Sequence, residues 1–230
     1  MTGTLHVMTR ELFFYNASTG SCAAGRLSTD GNFTGLTTGG GLSKNWTDVV
    51  AVGRELFFYN ASTGSCAAGR LSTDGNFTGL TTGGGLSKNW TDVVAVGREL
   101  FFYNASTGSC AAGRLSTDGN FTGLTTGGGL SKNWTDVVAV DRELFFYNAS
   151  TGSCAAGRLS TDGNFTGLTT GGGLSKNWTD VVAVGRELFF YNASTGSCAA
   201  GRLSTDGNFT GLTTGGGLSK NWTDVVAVTH

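Results

Sequence analysis

Forty-four residues repeat five times along this chain of 230. The unit RELFFYNASTGSCAAGRLSTDGNFTGLTTGGGLSKNWTDVVAVG begins at Arg10 and recurs at Arg54, Arg98, Arg142 and Arg186. Such a period marks an array or ring in which each unit hides its apolar faces against its neighbours. The repeats run 10–53, 54–97, 98–141, 142–185 and 186–229, a single domain over 10–230 preceded by a flanking segment, 1–9. The copies depart from one another only where Gly53, Gly97 and Gly185 give way to Asp141 and to Thr229. Natural repeats drift apart, so this identity points to design, consensus engineering or very recent duplication. Asp, like Gly, tolerates the left-handed backbone that a tight turn demands.

Each unit reads as four short strands. Glu11 to Tyr15 is aromatic, Ser21 to Leu27 follows the turn Asn16 to Gly20, Asn32 to Thr38 follows Thr29-Asp30-Gly31, and Trp46 to Val52 follows Gly39-Gly40-Gly41. β-Branched and aromatic residues fill the runs, and Gly, Asn, Asp and Ser separate them. No 3.6-residue apolar period persists, which disfavours a helical solenoid. Four strands, five times, predict an all-β, five-bladed β-propeller of four-stranded antiparallel blades. The small, β-branched run Val49 to Val52 suits the crowded innermost strand, and a hairpin at Gly53 would lead into the next ELFFY strand. On this register Trp222 to Val228 joins the first blade and closes the ring, with the LHVM stretch of residues 1–9 as a competitor for that place. An open β-solenoid is the alternative, at the cost of two uncapped sheet edges.

Composition narrows the function classes. Hydrophobic residues at 39 % allow a packed core and, with charged residues at only 13 %, exclude a disordered chain. Glycine occurs 39 times without proline or a Gly-X-Y period, so collagen is excluded. A net charge of -1 argues against nucleic acid as a partner. No apolar run is long enough for membrane insertion, and the first residues lack the form of a signal peptide. A soluble protein, expected in a cytosolic host, follows.

The unit resembles the five-bladed propeller lectins of the tachylectin type. Asp30-Gly31-Asn32-Phe33 stands near that family's Asp-Asn-Trp turn, with a glycine inserted and Phe for Trp. Gly39-Gly40-Gly41 followed by Leu-Ser-Lys-Asn and Trp46 stands near its Gly-Gly-Trp loop, with longer spacing, and Val49 to Val52 near its apolar inner strand. The resemblance implies binding of N-acetylglucosamine and N-acetylgalactosamine, as on mucin-type glycans, through equivalent pockets between adjacent blades.

Sugar recognition needs an apolar plate for the ring face and planar polar groups for hydroxyls and the acetamido amide. Each repeat offers both in or beside turns, where binding residues collect. The candidates are Asp30, Asn32, Asn45 and Trp46; Asp74, Asn76, Asn89 and Trp90; Asp118, Asn120, Asn133 and Trp134; Asp162, Asn164, Asn177 and Trp178; and Asp206, Asn208, Asn221 and Trp222. The competing reading makes Trp46 a packing residue between blades and Asn32 a turn former; Phe33 is expected in the core. Glycines 39 to 41 leave backbone groups open to a ligand. Five equal weak sites would bind a multivalent glycan with avidity.

Catalysis is not expected. The two histidines, His6 and His230, are terminal, so no blade can assemble a Ser-His-Asp or Cys-His set. Cys22, Cys66, Cys110, Cys154 and Cys198 lack metal-site spacing and read as buried, reduced thiols. No cofactor or metal is expected, although Asp48, Asp92, Asp136, Asp180 and Asp224 could form an acidic ring if all faced a channel. Arg10 and Arg26 are expected to pair with Glu11 and Asp30. Three Asn-X-Ser/Thr sequons per repeat read as chance products of Asn-rich turns. The expectation is a monomeric, multivalent lectin; the alternatives are a symmetric scaffold without binding and a glycoside hydrolase using paired carboxylates.

Overall fold

The computed structural model of the chain describes residues 10–27 and 32–221. Every regular element in them is a strand. The first sheet holds β1 (Arg10–Asn16), β2 (Ser21–Leu27) and β3 (Phe33–Gly39); the second holds β4 (Asp48–Val52), β5 (Glu55–Asn60), β6 (Ser65–Leu71) and β7 (Phe77–Gly83). The third has β8 (Asp92–Val96), β9 (Glu99–Asn104), β10 (Ser109–Leu115) and β11 (Phe121–Gly127). The fourth has β12 (Asp136–Val140), β13 (Glu143–Asn148), β14 (Ser153–Leu159) and β15 (Phe165–Gly171), and the fifth β16 (Asp180–Val184), β17 (Glu187–Asn192), β18 (Ser197–Leu203) and β19 (Phe209–Gly215). Strands neighbouring in sequence pair antiparallel within each sheet. These are the blades of the five-bladed β-propeller that the period predicts. The expected fourth strand of the first sheet, within 222–228, falls outside the described residues.

The sheets group into two compact units. One contains the first two sheets and the hairpin turn 116–120, the other the third, fourth and fifth sheets. In the second unit β12 lies between β8 and β16, so the small Val-Val-Ala-Val strands are neighbours, as their crowding requires. The inner strand opens at Asp48 rather than Trp46. The cause is Asn45, whose φ of 67° breaks the extended chain three residues before pairing begins. The following hairpin turns at Gly53 (φ 67°), and in the fourth repeat Asp141 takes the same left-handed conformation at φ 55°.

The paired phenylalanines of each ELFFY strand explain the core, because successive side chains on a strand face opposite sides. Phe101 reaches the following sheet, meeting Phe146 edge-on at 6.1 Å and Phe165 at 5.5 Å. Phe102 packs instead under Trp90 at 5.9 Å and against Phe121 at 5.8 Å. The pattern recurs one repeat on, where Phe145 meets Phe190 and Phe209 while Phe146 meets Trp134. Burying each ring contributes about 1.5–3 kcal/mol, so these layers dominate the cohesion between successive sheets. Phe33, expected in the core, is 55 % exposed. Its counterpart Phe165 packs on the preceding sheet's Phe101.

Charge also clamps successive sheets. Glu99, on β9, is almost fully buried and accepts from Arg114 of its own sheet at 2.8 Å and from Arg142, in the turn just before the next sheet's second strand. Glu143 is held alike by Arg158 at 2.7 Å and Arg186 at 2.9 Å. In the first unit Glu11 lies between Arg26 and Arg54. The expected Glu partnership of Arg26 is therefore present. Asp30 and the Arg10 side chain lie outside the description, but the turn aspartates in the later repeats accept from serines instead.

Candidate functional site

The four candidate residues of a repeat separate into two pairs. Asp118 and Asn120 sit in the exposed hairpin turn between β10 and β11. Asn120 Nδ2 donates to Asp118 Oδ2 at 2.7 Å, and Ser116 Oγ donates to Asp118 as well. The serine's hydrogen bond, ahead of the asparagine's, holds the Asp118 carboxyl below its ordinary value; Asp162 and Asp206 behave alike. Asp74 and Asn76 occupy the equivalent turn between β6 and β7. Asn133 and Trp134 lie at the other end of the sheet, in the loop that leads to β12. Strands of seven residues place the two ends of a blade about 20 Å apart.

The loop pair is fixed by backbone bonds. Asn133 has φ 64°, its N–H donates to Ala105 O at 2.8 Å, and its carbonyl accepts Asn148 Nδ2 from the next sheet at 2.6 Å. Asn45, Asn89, Asn177 and Asn221 share the left-handed φ. Trp134 N–H points to the Tyr103 hydroxyl at 3.4 Å, and that hydroxyl donates to Ser131 O at 2.7 Å. Burial pushes the Tyr103 phenol up. Trp90, Trp134 and Trp178 are only 8–9 % exposed, each against a phenylalanine of the second strand that follows (Phe102 on β9, Phe146 on β13, Phe190 on β17); Trp46 is half-buried against Phe58. Asp30 and Trp222 lie outside the described residues.

The hairpin turn of one repeat meets the glycine loop of the repeat before it. In the second unit a cleft of about 200 Å³ between the third and fourth sheets is lined by Cys110, Thr125, Thr126, Gly127, Gly128, Leu130, Asn164 and Phe165. Its equivalent between the fourth and fifth sheets, also about 200 Å³, is lined by Cys154, Thr169, Thr170, Gly171, Gly172, Leu174, Asn208 and Phe209. Thr125 Oγ1 donates to Gly163 O at 2.6 Å and fastens the turn over the cleft. The threonines and cysteines were not among the sequence candidates. The available signal was the Thr-Thr-Gly-Gly run, an edge strand whose polar groups continue into open backbone.

Trp134 and Trp178 line clefts other than these. Trp134 stands with Leu130, Ser131, Phe146, Phe165 and Thr169 around about 170 Å³, and Trp178 lines the related cleft beside the fifth sheet. The asparagine of the turn and the tryptophan of the loop therefore serve separate cavities.

Carboxylates gather at the mouths of the inner strands. Asp92, Asp136 and Asp180 open β8, β12 and β16. Thr135 Oγ1 donates to Asp136 at 2.8 Å, yet burial, with a smaller push from Asp180, raises the Asp136 carboxyl to about 6. Among the described residues no group of three or more His, Cys, Asp or Glu is placed to hold a metal ion. The five cysteines are free, and burial raises the thiols of Cys22, Cys66, Cys110 and Cys154.

Repeated antiparallel blades with clefts between them define a β-propeller of tandem repeats. The chain belongs to the family described as histone H3 K4-specific methyltransferase SET7 N-terminal, which matches residues 7–39, 48–83, 92–127, 139–171 and 180–215, one segment per repeat. No curated protein matches the chain. Among solved structures, a protein from Lactobacillus plantarum is similar at 14 % identity and TM-score 0.65, over 91 % of this chain and 69 % of its own. A protein from Bacteroides uniformis named as a 6-phosphogluconolactonase is similar at 17 % identity and TM-score 0.62, over 90 % of this chain and 67 % of its own. The periplasmic gluconolactonase of Pseudomonas aeruginosa is similar at 16 % identity and TM-score 0.62, over 92 % of this chain and 69 % of its own. These likenesses establish the fold. They also correct the expectation that an enzyme is excluded: proteins named as lactonases carry this fold, so repeated blades are no argument against catalysis.

Proposed function

We propose that the protein is a multivalent carbohydrate binder whose sites are the clefts between successive sheets, with N-acetylated amino sugars as the ligand class. The observation that carries this reading is the recurrence of one cleft in two places with the same lining. Both clefts are smaller than the roughly 300–1,000 Å³ of drug-sized sites, which favours a single sugar ring. Asn164 supplies an amide that both donates and accepts, Gly127 and Gly128 leave the backbone open, and Phe165 supplies an apolar surface. Screening on a glycan array tests it. Wild type should retain glycans ending in N-acetylglucosamine or N-acetylgalactosamine, and the pair Asn164→Ala and Asn208→Ala should retain them more weakly; no retention by wild type contradicts the reading.

A second reading, hydrolysis of a sugar lactone, is favoured by Asp136. A carboxyl raised to about 6 is ionised at neutral pH yet basic enough to take a proton from water as that water attacks a lactone carbonyl, the ring oxygen leaving with a proton. Turnover of 6-phosphogluconolactone or gluconolactone that disappears in Asp136→Asn supports it, and absence of turnover removes it.

A further inference from the structure

The tryptophan cleft on the fourth sheet has a lining unlike that of the clefts beside the turn asparagines. Phe146, Ala155 and Thr170 stand opposite one another on β13, β14 and β15, so their side chains form one row on one face of the sheet. Leu130 and Trp134, from the loop before β12, and Phe165 join that row around about 170 Å³. Trp134 meets Phe146 at 5.9 Å, and Phe146 meets Phe165 edge-on at 5.8 Å. Among the described residues no charged side chain lines the cleft. The fifth sheet repeats the arrangement, with Phe190, Ala199 and Thr214 in the row and Trp178 against Phe190 at 6.0 Å.

Hydrogen bonding decides what such a cleft takes. The Trp134 backbone N–H points to the Tyr103 hydroxyl, that hydroxyl donates to Ser131 O, and Thr169 Oγ1 donates to Gly207 O. With these groups already engaged, a sugar ring bearing several hydroxyls would lose more water contacts than it regains. The indole N–H is different. Trp134 is 8 % exposed, yet among the described residues no acceptor meets its Nε1, and the same holds for Trp178. A buried indole N–H ordinarily has a partner. The cleft therefore offers aromatic and aliphatic walls with one unanswered donor, and an apolar cavity of about 150 Å³ is large enough for one benzene ring.

We propose that the tryptophan clefts are a second class of binding site, for a small uncharged aromatic molecule that carries a hydrogen-bond acceptor and places it on the indole N–H. The site does not use Asn164 and stands independently of the carbohydrate reading. Phenol is the probe, and tryptophan emission of the full-length protein is the readout, because the chain's five tryptophans occur one per repeat at this position. Wild type should show a saturable change in emission with phenol, where collisional quenching alone would rise without limit. Ala155→Leu together with Ala199→Leu fills the row in two repeats and should reduce the amplitude by the share of those repeats, whereas Asn164→Ala should leave it unchanged. Should leucine unfold the chain, Ala155→Val with Ala199→Val fills less of the cleft and should act in the same direction. In nitrogen-labelled protein the indole N–H resonances should move further downfield with phenol than with toluene, which lacks the acceptor. No saturable response in wild type, an amplitude untouched by the filling variants, a response lost in Asn164→Ala, or equal indole shifts with the two probes would each overturn the proposal.

Discussion

Tyr103 joins three parts of the chain through one oxygen. It donates to Ser131 O and receives the Trp134 N–H, while its ring packs edge-on against Phe146 at 6.1 Å. Tyr103→Phe keeps the ring and strands both backbone groups, so it should cost about 1–2 kcal/mol in chemical denaturation. Asp136 and the clamped glutamates set the pH response in opposite senses. Asp136 binds its proton more tightly in the folded chain, so its contribution grows as pH falls through about 6 and is lost as pH rises through it. Burial alone would raise Glu99 and Glu143, but the hydrogen bonds of their paired arginines outweigh it and hold both below 4.5, so their contribution falls away only below that value. The melting temperature should therefore be higher at pH 5 than at pH 7.5, and Asp136→Asn should reduce the difference. Asp141 adds an ion pair with Arg186 at 2.9 Å, but the aspartate is 62 % exposed, and such pairs contribute about 0–1 kcal/mol.

At the scale of the element, one bend in each blade depends on a missing side chain. The β10–β11 register shifts between Ala112 and Gly113, and a Cβ on Gly113 would overlap the ring of Phe121. Gly113→Ala should cost about 1–3 kcal/mol by forcing that ring out of place, which urea denaturation would read. Much of this architecture was legible in the sequence, because runs such as ELFFY and DVVAV carry strand chemistry and glycine or asparagine marks the turns between them. The bulge was not, since an isolated glycine in a strand does not say which ring crosses it. The start of the inner strand was missed by two residues: Trp46 is aromatic enough for a strand, and only the left-handed backbone of Asn45 keeps it in the loop. Asn120 and Trp134 are close in sequence yet separated by the whole of β11, which runs between them. The site was thus half legible. Its polar turn and glycine loop were marked, but their meeting is across consecutive repeats, which no spacing within one repeat reveals.

For the whole molecule, identical repeats mean that whatever one cleft binds, its equivalents bind too. That multiplicity separates a binder of branched glycans from a protein with one working centre, because linked sites convert weak contacts into avidity. Calorimetric titration with free N-acetylglucosamine measures it directly. The account predicts saturable binding with more than one sugar per chain, lowered by the pair Asn164→Ala and Asn208→Ala while both variants keep the wild-type fold. Absence of heat at millimolar sugar, or one site per chain untouched by the asparagine substitutions, would contradict it.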